Sequence, residues 1–214
     1  MLKKLVLSTA LILSLSSTAS FAADAAQPTA FKAGDLLVRA RMLGVLPQED
    51  STISAVGGSA ELTNSIVPEL DFTYFLTSNI AAELILATTP HSVDVKGSSV
   101  GSVDAGNVWL LPPTLLAQYH FTNFDSFKPY VGAGINYTFF YNDDSGALNN
   151  VTYKDNFGYA LQAGVDVPIE GNWYFNADIK KIYLNTDAKF NNGTIVADVD
   201  IDPVIFGLGI GYKF

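Results

Sequence analysis

From Gly34 to the C-terminus the chain alternates. Apolar residues recur at every second position in runs of about ten, the spacing that puts them on one face of a β-strand. Eight such runs can be read. In the first, Leu36, Val38, Ala40 and Met42 alternate with Leu37, Arg39, Arg41 and Leu43. The second sets Leu70, Phe72, Tyr74 and Leu76 against Glu69, Asp71 and Thr73, and the third, Ile80 to Thr88, has Ala82, Leu84 and Leu86 opposite Glu83 and Ile85. Leu115, Ala117, Tyr119 and Phe121 oppose Leu116, Gln118 and His120 in the fourth. Strands 5, 6 and 8 follow one plan: large apolar residues such as Ile135, Tyr159, Leu161, Phe206 and Leu208 on one side, and mainly Gly, Ala and short polar residues on the other. In the seventh, Trp173, Phe175, Ala177 and Ile179 alternate with Tyr174, Asn176, Asp178 and Lys180.

The connections alternate too. Short turns at 77–79, 122–127 and 168–172 take turns with polar loops near 47–66, 90–107, 142–156 and 187–200. This predicts an all-β fold, an eight-stranded antiparallel transmembrane β-barrel with long extracellular loops and short periplasmic turns. A soluble lipocalin-like barrel has the same alternation with its faces exchanged. Side-chain size separates the two: the small-residue face of strands 5, 6 and 8 suits the crowded interior of a narrow barrel, so the bulky apolar face is expected to meet lipid.

The N-terminus supports export. Lys3 and Lys4 precede an apolar core from Leu5 to Leu15, and Ser20-Phe21-Ala22 forms a small-x-small cleavage site. Residues 1–22 therefore read as a signal peptide that is removed, and 23–214 as one barrel domain. A membrane anchor needs about 20 apolar residues, and this run is broken by Ser14, Ser16 and Ser17.

Composition narrows the partners. Of 214 residues only 15% are charged, with 12 Lys+Arg against 21 Asp+Glu, and cleavage after Ala22 would remove two lysines and shift the formal charge from -9 to -11. So acidic a chain is not expected to bind nucleic acid. Cysteine is absent, which excludes a disulfide framework and thiolate metal ligands. Only His91 and His120 are available as imidazole bases, with neither a Gly-x-Ser-x-Gly string nor paired metal ligands, so neither an enzyme nor a cofactor or metal site is expected. Asp143-Asp144 and the series Asp198, Asp200 and Asp202 read as solvated loop acids. The terminal Phe214, with Tyr212 two residues before it, is similar to the signal by which bacterial outer-membrane barrels are recognised by their assembly machinery.

Three strings in order carry a family resemblance: Leu111-Pro112-Pro113-Thr114-Leu115-Leu116-Ala117-Gln118-Tyr119, then Lys128-Pro129-Tyr130-Val131-Gly132-Ala133-Gly134-Ile135-Asn136-Tyr137, then Asp202-Pro203 with Gly211-Tyr212-Lys213-Phe214. With Ser78-Asn79-Ile80, Glu83-Leu84 and Gln162-Ala163-Gly164-Val165-Asp166, the mature chain resembles the OmpW family in register. The resemblance implies a monomeric barrel of the bacterial outer membrane whose hydrophobic lumen passes small apolar molecules inward. It also implies an inward aromatic near position 180, where this chain has Lys180.

Eight strands enclose room for packed side chains or one small ligand, which argues against a general water-filled pore. Leu37, Ile85, Leu116, Lys180 and Ile205 are expected to line the lumen. The small residues inside either leave a cavity or make room for bulkier neighbours. Arg39 and Arg41 face Glu69, Asp71 and Glu83, charges that must pair when enclosed, and the network is expected to plug one end. A solute would then leave sideways. Pro68, Pro112, Pro113 and Pro203 lack the ladder N–H and mark the expected lateral opening. The alternative is a structural or receptor barrel with a packed lumen, whose loops are read by phage, bacteriocin or host.

Overall fold

The computed structural model describes residues 30–54, 57–99, 101–148 and 150–214, so the expected leader lies outside the described residues. Its strands in chain order are β1 (Leu36–Leu46), β2 (Asp50–Ile53), β3 (Ser59–Leu62), β4 (Ser65–Phe75), β5 (Ile80–Ala87), β6 (Thr89–Ser98), β7 (Gly101–Leu111), β8 (Thr114–His120), β9 (Lys128–Tyr141), β10 (Thr152–Tyr153), β11 (Asn156–Pro168), β12 (Trp173–Tyr183), β13 (Asn185–Phe190), β14 (Ile195–Asp200) and β15 (Val204–Lys213). Eight of these, in the order β11-β12-β15-β1-β4-β5-β8-β9, form an antiparallel sheet that the pairing of β9 with β11 closes. Closure leaves no unpaired edge, a requirement where the surrounding solvent offers no hydrogen bonds.

Outside the barrel wall the apolar rows stand exposed: Met42, Leu70, Leu115, Ile135, Leu161 and Leu208 are each more than 40% accessible. A soluble barrel would turn these rows inward. Trp173, Tyr212 and Phe214 pack edge to face near the short-turn end, and Tyr137, Phe139 and Phe157 do so higher up. Such aromatic belts sit at membrane interfaces.

The expected polar loops are instead largely strands. β2, β10, β13 and β14 form one four-stranded sheet, and β3, β6 and β7 continue from β9 as another, together extending the barrel beyond the membrane. The reason is a reversal of polarity that an outward-apolar reading misses. Along β12 and β13 the buried row runs Asn176, Asp178, Lys180 and then Ile182, Leu184, Ala188 and Phe190. The opposite row changes in the reverse sense, from Phe175 and Ile179 to Asn185 and Lys189. In the extension water lies outside, so Val93, Val95, Val108, Ala197 and Val199 turn inward to make an apolar core.

The reversal predicts opposite tolerance at two outward sites. Leu208→Lys, in the middle of the β15 lipid-facing row, should destabilise the barrel in vesicles by ~2–4 kcal/mol. Asp198→Lys, outward on β14, should stay within ~0.5 kcal/mol in the same urea titration.

Candidate functional site: a charged layer beneath an apolar column

The lumen has three levels. At the short-turn end, Phe31 from the segment before β1 enters the barrel and stacks on Phe75 at 4.2 Å and on Tyr174 at 5.4 Å. Leu37 and Ala81 complete this small apolar cluster. Above it lies a layer of charge. Arg39 grips Asp166 through both Nε (3.0 Å) and Nη2 (2.8 Å) and reaches Asp71 and Thr73 at 2.8 Å through Nη1. Arg41 contacts Glu69 and Asp71 at 2.6 Å, Asp178 at 2.8 Å and Glu83 at 3.1 Å. Lys180 pairs with Glu69 and Asp178 at 3.0 Å. Gln118 donates to Glu83 and to Gln162 at 2.8 Å, and Gln162 donates to Asp178 at 2.9 Å. Three cations and five carboxylates are thereby cross-linked by neutral amides.

This layer explains the small inward residues. A Cβ on Gly209 would stand 2.7 Å from Arg41 Cγ, one on Gly207 2.2 Å from Asp178 Oδ1, and one on Gly164 2.4 Å from the Tyr130 hydroxyl. These glycines make room for their neighbours rather than for a cavity.

Above the charge the lumen is apolar. Three small cavities of about 30, 20 and 40 Å³ follow one another. The first is walled by Val45, Leu110, Ile182 and Ile205, the second by Val93, Val108, Ala188 and Val199, and the third by Ile53, Val95, Val103 and Ile195. Ile201 belongs to the first two and Phe190 to the last two, so they form one column.

The residues expected at the lumen wall divide between these levels. Ile85, Leu116 and Ile205 belong to the apolar core that continues into the column. Leu37 does not, because it sits on the far side of the charged layer with Phe31. Lys180 also points into the lumen, within the charged layer, where Glu69 and Asp178 hold it. Arg39, Arg41, Glu69, Asp71 and Glu83 are brought together there. Asp166, Asp178 and Asn176 join them, and the signal was in the sequence: each is a polar residue on the same alternating face as a network member.

The prolines divide as well. Pairing of β4 with β5 stops at Glu69–Ala87 and pairing of β3 with β6 resumes only at Leu62–Val93. Pro68 borders this gap, and Pro90, which the sequence reading passed over, lies within it. The ladder there is replaced by Thr63 N to Ser92 O at 3.1 Å, by Ser92 N to Thr63 Oγ1 at 3.0 Å and by the Ser65 hydroxyl on Pro90 O. Outside it is an open cleft of about 390 Å³ that includes Ile66, Pro90, His91 and Trp109. His91 also lines the lowest cavity of the column, so it borders both lumen and cleft. A smaller break at 86–88 and 111–113 contains Pro112 and Pro113. Pro203 opens nothing: Ile182 N donates to Pro203 O at 3.1 Å and Leu184 N to Asp202 Oδ1 at 2.9 Å, which bridge the wall.

Amphipathic strands closed around a polar interior, with an apolar exterior, define a β-barrel protein of the bacterial outer membrane. Residues 32–214 match the OmpW family, and the chain belongs to it. It is 46% identical over 182 residues to the outer-membrane protein y4mB of Sinorhizobium fredii, covering 83% of this chain and 79% of that one. Outer membrane protein W of Escherichia coli is 36% identical over 224 residues, covering all of both chains. The crystal structure of OprG from Pseudomonas aeruginosa superposes with a TM-score of 0.77 at 31% identity, covering 86% of this chain and 97% of that one.

Two tests follow from these contacts. Arg41→Met leaves Glu69 and Asp178 to Lys180 alone and Asp71 to Arg39 alone, and urea unfolding in vesicles should show a loss of ~3–5 kcal/mol. His91 lies in the extension, where burial lowers its pKa and the Thr63 carbonyl and Glu49 offset that only in part. The folded form thus favours neutral imidazole, so its stability is present above the unfolded value of ~6.5 and is lost as pH falls below it. Amide protection factors around Thr63 and Ser92, taken relative to the intrinsic exchange rate at each pH, should fall from pH 7 to 5, and His91→Gln should flatten that dependence.

Proposed function

We propose that the protein is a passive outer-membrane channel for small hydrophobic molecules, entered through the extracellular extension and left through the barrel wall. The observation that carries this reading is the apolar column ending directly on a charged layer. An apolar solute descending the column gains contacts with Ile182, Ile201 and Ile205, then meets Arg41, Glu69 and Lys180. Parting these ions to pass would leave buried charges uncompensated, at a cost of several kcal/mol each. The nearby break in the wall, by contrast, lacks regular ladder bonds, and its outer cleft joins Ile66, Pro90 and Trp109 to Thr63, Asn64 and Asn107 at the level where the wall passes from the membrane sheet to the extension. Sideways exit into the bilayer is therefore the cheaper path. Tyr212 and Phe214, on the lipid-facing end of β15, serve as the recognition signal for the assembly machinery in this reading.

The chain has no cysteine, so a single engineered pair can lock the wall. Thr63→Cys with Ser92→Cys joins positions already opposed across the gap. In vesicles with a lipopolysaccharide outer leaflet, the reduced protein should speed entry of a small apolar compound and not of a charged one of similar size. Oxidation should return entry to the protein-free rate, and reductant should restore it. Undiminished entry through the oxidised protein would place the exit elsewhere. No acceleration by the unlocked wild type would favour the receptor or structural barrel.

A further inference from the structure

The column is not uniformly apolar. Among the described residues, two of its wall residues hold a buried polar atom that finds no partner: the Tyr153 hydroxyl in the middle cavity and Asn136 Oδ1 in the lowest one. Their neighbours differ. Thr186, in the same wall as Tyr153, donates its hydroxyl to Lys154 O at 2.9 Å, and His91 Nδ1 donates to Thr63 O at 2.7 Å. Asn136 itself uses its Nδ2 on Thr138 Oγ1 at 2.9 Å, which holds the amide plane and leaves Oδ1 as the free atom. Tyr153 is held likewise, its ring stacked on Phe140 at 5.6 Å. Both groups are thus fixed in place, with the polar end unpaired.

Buried polar groups are almost always paired, because burial removes their hydration. Two exceptions in adjoining cavities of one passage point to a ligand that completes them. We infer that the column selects neutral apolar molecules carrying a hydroxyl group, with Tyr153 and Asn136 as the residues that recognise it. The chemistry is specific. A hydroxyl is both donor and acceptor, so it can donate to Asn136 Oδ1 and either accept from or donate to the Tyr153 oxygen. A hydrocarbon leaves both groups bare, and an ion finds no countercharge among Val93, Val108, Ala188 and Val199. The inference rests on the channel reading above and narrows its cargo from apolar molecules in general to alkanols and phenols.

p-Cresol and p-xylene have nearly the same size and differ by a hydroxyl in place of a methyl group. The column must widen equally for either, so the comparison isolates the hydroxyl. Methyl NMR titrations of the full barrel in nanodiscs should give a p-cresol affinity ~10-fold above that of p-xylene. Tyr153→Phe and Asn136→Leu should each cut that ratio ~3–10-fold. Because Asn136 is almost fully buried, Tyr153→Phe, which keeps the stacked ring, decides the matter if Asn136→Leu does not fold. Equal affinity for the two compounds, as expected if water pairs these groups instead, overturns the inference and leaves the channel standing. So does a ratio that survives Tyr153→Phe. Binding of neither compound overturns the channel reading as well.

Discussion

Every strand of this barrel passes from one solvent into another, and the polarity of its two faces must reverse where it does. Lipid outside demands an apolar exterior, which leaves the polar residues no place but the lumen. Water outside demands the opposite. The row from Asn176 to Lys180 gives way to Ile182 and Leu184 where β12 passes into β13, and the outward row changes from Ile179 to Asn185 over the same stretch. The barrel and its extension therefore contain two cores of opposite character, ionic within the membrane and apolar beyond it. Their meeting inside the lumen is what gives the protein a candidate site.

The ionic core is stable only as a network. Arg39 and Arg41 each meet several carboxylates at once, and amides of Gln118, Gln162 and Asn176 occupy remaining donor and acceptor positions. Such density requires space, which Gly207, Gly209 and Gly211 on β15 provide beside β1. With Phe31 and Tyr174 beneath it, the layer closes the periplasmic end of the barrel. A lumen closed at one end and apolar at the other is unsuited to ions and water.

The wall is weakest just above that closure. Regular pairing lapses between β4 and β6, and prolines at 68 and 90 cannot restore it for want of an N–H. His91 is buried between column and cleft and is anchored by one hydrogen bond to Thr63 O. Both features lie where the pairing of β4 with β5 in the membrane sheet gives way to that of β3 with β6 in the extension.

The sequence by itself determined the barrel strands through their alternation, the direction of each face through side-chain size, and the pairing of Arg39 and Arg41 with Glu69 and Asp71, because a period of two is a local property and enclosed charges must find opposites. The family strings determined the OmpW membership before any coordinates. Other features depended on height along the barrel axis, which sequence does not encode directly. Leu37 and Leu116 look equivalent as inward leucines, yet the charged layer lies between their clusters; Lys180 lines the lumen within that layer because Glu69 stands opposite it from another strand. The extension strands were read as loops because their apolar residues face inward and their polar ones outward, the reverse of the barrel rule. Which proline borders a lapse in the ladder is likewise a matter of three dimensions: at Pro203 the wall is bridged by Ile182 N to Pro203 O and Leu184 N to Asp202 Oδ1, whereas Pro68 and Pro90 lie where pairing lapses between β4 and β6. Registers between strands distant in sequence set these contacts, and tertiary closure sets the registers.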